Sequence, residues 1–140
     1  MTARTRRCDE PTIAGRLRKA EQFLDAAGTI REFADDEHDV GDALVTLCVH
    51  AGIAAADVLC CIALGEHAHG EDHNTALELL TRVRPNGNTL ATSLRPLLGM
   101  KTRAGYSHRP VIPDDRKRAY RAAEKLVRAA RDRRQSPASQ

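Results

Sequence analysis

The sequence predicts an all-α protein, a single-domain antiparallel bundle of about five helices, and three observations support that class. The chain has 140 residues, which is the size of one domain. It has no Trp, two Phe and two Tyr, so its core must be aliphatic and rich in Ala and Leu. Apolar residues recur at helical spacing, and no strand pattern appears.

The chain divides into three parts on this interpretation. Residues 1–10 are expected to be disordered, residues 11–134 form the helical domain, and residues 135–140 are a polar, disordered tail. The predicted helices cover residues 13–34, 40–64, 72–83, 90–106 and 113–133.

Each of the first three helices has its own signals. Pro11 suits the first turn of the first helix, whose apolar positions follow the helical period from Ile13 onward. The acidic run at residues 35–39 is expected to be a loop that leads into the second helix. The second helix is apolar on nearly all sides, which predicts the central, most buried position. Asp72 is a plausible cap for the third helix.

The last two helices are separated from the others by turn signals. Pro85-Asn86-Gly87-Asn88 is a strong turn signal, and Pro96 is expected to kink or divide the fourth helix. His108-Arg109-Pro110 ends that helix, and Pro113 opens the fifth.

The cysteines and the apolar runs bear on location. The longest apolar run, residues 51–64, is interrupted by Asp57, so no membrane span is expected. The basic N-terminus has no apolar segment behind it, which makes it unlike a signal peptide. Cys60 and Cys61 are adjacent, while Cys8 and Cys48 have no CxxC partner. We therefore expect reduced thiols and a cytoplasmic protein.

Charge is distributed unevenly along a chain of net charge +3. Residues 35–39 are acidic, and the last helix and tail are basic. A solvated face is the simpler interpretation of a basic helix, and DNA association through it is an alternative.

Asp57 is the first candidate functional residue. Its neighbours for six residues on either side are apolar or Gly. A carboxylate in such a helix is costly to bury unless it is paired. It is either a residue at the surface of the bundle or the buried partner of a cation from another helix, for which Lys101 and Arg103 are the candidates.

The stretch KTRAGYSH, residues 101–108, is the second candidate. Lys101 and His108 share a helix face, whereas Arg103 and His108 are about 140° apart and converge only if the helix ends near Gly105. A cation beside a histidine is what phosphodiester cleavage needs. The simpler interpretation is that cations at a helix C-terminus interact favourably with the helix dipole. On spacing alone, that interpretation is favoured.

The pattern from VHAGIAAADVLCC through GEDHNTALELL to LLGMKTRAGYSH resembles HEPN-domain proteins, in particular small bacterial members of actinobacterial type. The resemblance covers about residues 13–131. It implies a helical bundle that commonly dimerises. Many such proteins are metal-independent ribonucleases, often toxins paired with a nucleotidyltransferase-like antitoxin. Their signature is Arg, four to six residues, then His, with a polar residue after the Arg and an acidic residue on an earlier helix.

Two frames of that signature fit this chain. In one, Arg103 and His108 have the expected spacing, but Ala104 replaces the polar residue. In the other, Lys101 and Thr102 replace the Arg and its neighbour, and Tyr106 or His108 takes the histidine position. The resemblance implies that His108 acts as general acid or base, that Lys101 and Arg103 hold the phosphate, and that Asp57 orients the cations.

The expected substrate is RNA, whose own 2′-hydroxyl is the nucleophile, so the hypothesis needs no metal and no cofactor. The rival hypothesis is a non-catalytic, dimeric binding module for nucleic acid or nucleotide. The departures at Lys101 and Ala104 favour the rival.

Several of the remaining histidines are candidate metal ligands. His67, His69 and His73, with Cys60 and Cys61, have no recognised metal-ligand spacing, and surface histidines are the favoured interpretation. His50 lies on the face of Asp57, and we expect a core histidine bonded to backbone.

Overall fold

The structure is a computed structural model that describes residues 4–34, 40–70 and 72–136. Those residues form five helices and one small antiparallel ribbon. In chain order the elements are β1 (Thr5–Arg7), α1 (Glu10–Phe33), α2 (Gly41–Leu64), β2 (Glu66–Ala68), α3 (His73–Arg82), α4 (Gly87–Gly105) and α5 (Pro113–Gln135). The predicted all-α bundle is confirmed.

Helix α2 is the centre of the bundle. It packs against α1, α4 and α5, and its buried residues lie on nearly all of its faces. Gly52 lies against α4, and a Cβ added there would overlap the buried side chain of Leu97 unless that side chain moved. Gly65 ends the helix in the left-handed conformation, with φ of 78°, which glycine adopts without steric cost.

Helix α2 also has the length and composition of a membrane span, with a mean hydropathy of 2.1. The expectation of no membrane span missed this property of α2, because the single residue Asp57 lowers the mean hydropathy of the helix only a little. In the bundle, 67% of that apolar window is buried, so the apolar side chains serve as the core of the bundle.

The ribbon is the feature of the described residues that the sequence did not predict. β1 pairs with β2, with Thr5 opposite Ala68 and Arg7 opposite Glu66. Cys8 N–H donates to the Gly65 carbonyl, and Asp9 caps α1 by accepting from Thr12 N–H. The expected disorder of residues 1–10 is therefore wrong for residues 4–10. Three-residue strands are too short to give an alternating pattern.

The remaining helix ends agree closely with the predicted ones. Asp72 caps α3 through Thr75 N–H, as expected. Pro96 lies inside α4, which runs as one helix rather than two. The acidic run at 35–39 and the tail residues 137–140 lie outside the described residues, and α5 extends to Gln135.

Candidate functional site

The polar end of α4 is built by the way that helix stops. Tyr106 N–H and Ser107 N–H both donate to the Thr102 carbonyl, at 2.8 and 2.9 Å, which closes the helix just after Gly105. Lys101 therefore lies in the last full turn, half-buried, while His108 follows in the connection to α5. The helix thus ends between Arg103 and His108, where the sequence placed a permissive glycine.

Lys101 contacts a residue that the sequence did not single out as catalytic. Its Nζ lies 3.2 Å from Nε2 of His73, the first residue of α3. An ammonium group only donates, so His73 Nε2 is the acceptor in this contact. A lysine and a histidine are thereby held in contact across two helices.

A cleft of about 150 Å³ opens beside this pair. We call it the open cleft; its lining is Thr46, Val49, His50, Lys101, Gly105 and Tyr106. His50 is exposed, with its ring 5.7 Å from that of Phe23, so the expected core histidine is wrong. Residues of α2 and of α4 thus meet around one small cavity, and His73 of α3 contacts it through Lys101.

The two frames of the signature differ in whether the structure brings their residues together. Lys101 and Tyr106 line the same cleft, although Tyr106 is 78% exposed. Arg103 and His108 are both exposed, and among the described residues no hydrogen bond or ion pair joins them. The Lys101-based frame is the one whose residues the fold brings together.

Asp57 lies elsewhere, in what we call the closed cluster of Arg16, Asp57 and His67. Its Oδ2 accepts from Arg16 of α1, at 2.9 Å from Nη2 and 3.1 Å from Nε. His67 Nδ1 of β2 lies 4.0 Å from Oδ1. The prediction of a cation from another helix is confirmed, but the candidates Lys101 and Arg103 are wrong. Nothing in the sequence distinguishes Arg16 from the other arginines of α1.

Burial dominates the electrostatics of the closed cluster. The Asp57 side chain is 13% exposed. Loss of solvent raises the pKa of Asp57, and the nearby charges of Arg16 and His67 only partly oppose that rise. The cation therefore offsets part of the cost of a buried carboxylate rather than all of it.

The cysteines correct a second expectation. Cys8 and Cys61 form a disulfide that fastens the segment after β1 to the end of α2. Cys48 and Cys60 are buried thiols, and burial raises the pKa of each to about 12, which removes thiolate reactivity near neutral pH. The expectation of four reduced thiols is thus wrong for two of them.

The histidines of the GEHAHGEDH stretch have separate partners. His67 Nδ1 lies 2.9 Å from the Ala68 carbonyl oxygen, His69 Nε2 lies 2.6 Å from Arg6 Nη2, and His73 contacts Lys101. Within residues 4–34, 40–70 and 72–136, no three His, Cys, Asp or Glu side chains are grouped to hold a metal ion. In comparisons with known proteins, no family model matches the chain and no curated protein matches it.

Proposed function

We propose that this protein is a HEPN-like, RNA-directed protein whose site is the open cleft and the adjoining Lys101–His73 pair. The observation that carries the proposal is the 3.2 Å contact between Lys101 Nζ and His73 Nε2 at the edge of that cleft. A cation and a histidine held side by side suit phosphodiester cleavage, which needs negative charge stabilised and a proton moved.

In the catalytic version, each residue has one task. When RNA binds, Lys101 Nζ turns from His73 Nε2 to a phosphoryl oxygen. The freed Nε2 takes the proton of the RNA 2′-hydroxyl, and that oxygen attacks the adjacent phosphorus. Lys101 donates to the phosphoryl oxygens as negative charge develops on them. His108 protonates the departing 5′-oxygen, which leaves a 2′,3′-cyclic phosphate on one product and a 5′-hydroxyl on the other. DNA lacks the nucleophile and is resistant.

The second candidate is RNA binding without cleavage, and a specific observation favours it. Among the described residues that line the open cleft there is no carboxylate, and Asp57, the acidic residue that the HEPN resemblance implies, is paired with Arg16 in the closed cluster. Arg103, Tyr106 and His108 are also exposed, where water competes with any network among them. Exposed cations of this kind hold a phosphate backbone without activating it.

Homodimerisation and a nucleotidyltransferase-like antitoxin remain part of the proposal through the HEPN resemblance. A dimer that joins the two fourth helices brings two open clefts together, so one RNA strand can contact both. Light scattering at micromolar concentration then gives twice the mass of the 15.3 kDa chain. A strict monomer contradicts a composite site.

One experiment separates the two versions. Purified protein is incubated with structured RNA and with DNA of the same sequence, with and without a chelator, and both retention on a gel and strand scission are recorded. Lys101→Ala and His73→Ala are compared with Arg95→Ala, an exposed arginine of α4 outside the cleft.

The catalytic version requires cyclic-phosphate products that are insensitive to chelator and lost in both cleft variants. The binding version requires retention of intact RNA that weakens in those variants. Retention that Lys101→Ala, His73→Ala and Arg95→Ala weaken equally, or no retention at all, rejects the open cleft as an RNA site.

A further inference from the structure

A second, larger cavity lies where α1 ends and α5 begins. It has a volume of about 360 Å³ and reaches from the last turns of α1 to the first three turns of α5, with the start of α2 beneath it. We call it the basic pocket, because four cations line it: Arg31, Arg116, Lys117 and Arg121. It shares no lining residue with the open cleft or the closed cluster.

Among the described residues, the carboxylates around the basic pocket do not pair with its cations. Glu124 is the single carboxylate among the described lining residues, and it faces Arg128, at 3.9 Å. Asp115, at the start of α5, faces Arg118 instead, at 3.7 Å. Within the described part of the chain, none of the four lining cations forms an ion pair. A group of four cations around one cavity attracts anions.

Two of the cations are held in place before any ligand arrives. The Arg31 guanidinium stacks on the Tyr120 ring, 3.8 Å from its centroid. That ring is itself fixed against α1, since its hydroxyl lies 3.1 Å from where a Cβ on Gly28 would stand. The stem of Arg116 packs on Gly41, where a Cβ would lie 3.0 Å from Arg116 Cδ. Such preorganisation lowers the entropic cost of binding.

The pocket also has an apolar floor. Val40, at the N-cap of α2, and Leu44, in its first turn, lie beneath the cations. The mouth of the pocket therefore suits acidic groups, and its floor suits a small apolar group. A cavity of this volume is at the lower end of the range for small-molecule sites and is too small for a folded polymer.

We propose that the basic pocket binds a small amphiphilic anion, one that joins two or more acidic oxygens to a compact apolar group. Guanidinium groups match the planar oxygen pairs of carboxylates and phosphates, which they contact in bidentate fashion. The oxygens face the four cations of the basic pocket, Lys117 included, and the apolar group rests on Val40 and Leu44. A phosphate monoester and an aromatic dicarboxylate share this chemistry.

Calorimetric titration tests the proposal in a phosphate-free buffer. Phenyl phosphate and phthalate are the probes for the two sources of anion, and inorganic phosphate reports the charge contribution alone. We expect saturable binding of one probe molecule per chain, tighter for phenyl phosphate or phthalate than for inorganic phosphate. Arg116→Gln and Lys117→Gln should each weaken that binding by about tenfold, the typical effect of losing one charge-assisted contact.

Lys125→Gln is the matched control. It removes the same charge from an exposed lysine of the same helix, and Lys125 does not line the pocket. We expect less than about a twofold change for it, because an exposed charge away from the site is screened by salt. A melting curve for each variant confirms that it is folded.

Two outcomes overturn the proposal. The first is equal weakening by Lys117→Gln and Lys125→Gln, which means general electrostatic attraction. The second is no saturable binding of phenyl phosphate or phthalate to the native chain.

Discussion

The closed cluster and the open cleft lie along the same helix, α2, and use similar side chains. Asp57 and His50 are seven residues apart on α2, and each lies near a cation from another helix, Arg16 or Lys101. The difference is access to water. The Asp57 side chain is 13% exposed and lies beside a disulfide-fastened ribbon, whereas Tyr106 at the cleft is 78% exposed.

Solvent access decides what these residues can do. In the closed cluster the charges are desolvated, so their pairing affects the free energy of unfolding strongly. At the open cleft, His50 and Tyr106 are exposed to water, so these side chains contribute little to stability. The comparison yields five expectations that can fail separately.

The largest expected effect comes from the disulfide beside the closed cluster. Cys8 and Cys61 are separated by 53 residues, and closing a loop of that length is worth about 4 kcal/mol in the chain-entropy model. Chemical denaturation of the double variant Cys8→Ala/Cys61→Ala, or of the reduced protein, measures the loss. Alkylation of unreduced, denatured protein should modify two cysteines, Cys48 and Cys60. Modification of all four would contradict the bridge.

The next effect is the loss of the Asp57 carboxylate. Asp57→Ala leaves Arg16 without its acceptor, and we expect the free energy of unfolding to fall by about 2 kcal/mol, because Arg16 is 30% exposed and can partly rehydrate. Asp57→Asn should cost less. The double variant Asp57→Leu/Arg16→Met should recover much of the loss, since the pair itself is costly to bury.

A double-mutant cycle identifies the partner of Asp57. The changes in unfolding free energy caused by Arg16→Met and Asp57→Ala should be non-additive. The changes caused by Lys101→Met or Arg103→Met should add to that of Asp57→Ala within about 0.5 kcal/mol. A coupling energy with Lys101 but none with Arg16 would join the closed cluster to the open cleft and remove the distinction between them.

A smaller effect is the pH dependence of the closed cluster. Burial raises the pKa of Asp57 above its usual 3.8, so the folded chain holds that proton more tightly than the unfolded chain does. The resulting stability is fully present below the unfolded pKa and is lost as the pH rises through the raised folded value. Relative to Asp57→Asn, the native chain should therefore gain stability as the pH falls from about 7 to about 4. Urea denaturation across that range measures the unfolding free energy of the native chain and of Asp57→Asn. If the stability of the native chain relative to Asp57→Asn fell toward low pH, the pKa of Asp57 would be lowered rather than raised.

The smallest expected effect on stability is at the open cleft and at the exposed polar residues around the end of α4. His50→Ala, Arg103→Ala and His108→Ala remove exposed side chains, and each should change the free energy of unfolding by less than about 0.5 kcal/mol. Thermal denaturation of the three variants measures this. A loss above about 2 kcal/mol in any of them would mean that the residue is part of the structural framework and not part of an accessible site.

Much of the fold was predictable because helix signals are local. The apolar period of α1, the Asp72 cap, Pro113 at the start of α5 and the all-round apolarity of α2 each predict an element from a few neighbouring residues. The ribbon was not predictable, since three residues per strand carry no usable period and their pairing joins segments about 60 residues apart in the chain.

The sequence by itself determined the helices, the aliphatic core and the helix end between Arg103 and His108. Tertiary structure alone decided that Asp57 meets Arg16, that Lys101 meets His73, that Cys8 reaches Cys61 and that four cations surround one pocket. The physical reason is the range of the interactions. Hydrogen bonds within a helix join residues four apart, so spacing reveals them. Charge pairs, disulfides and cavities depend on how the helices are rotated and stacked, and that follows from the packing of the whole core.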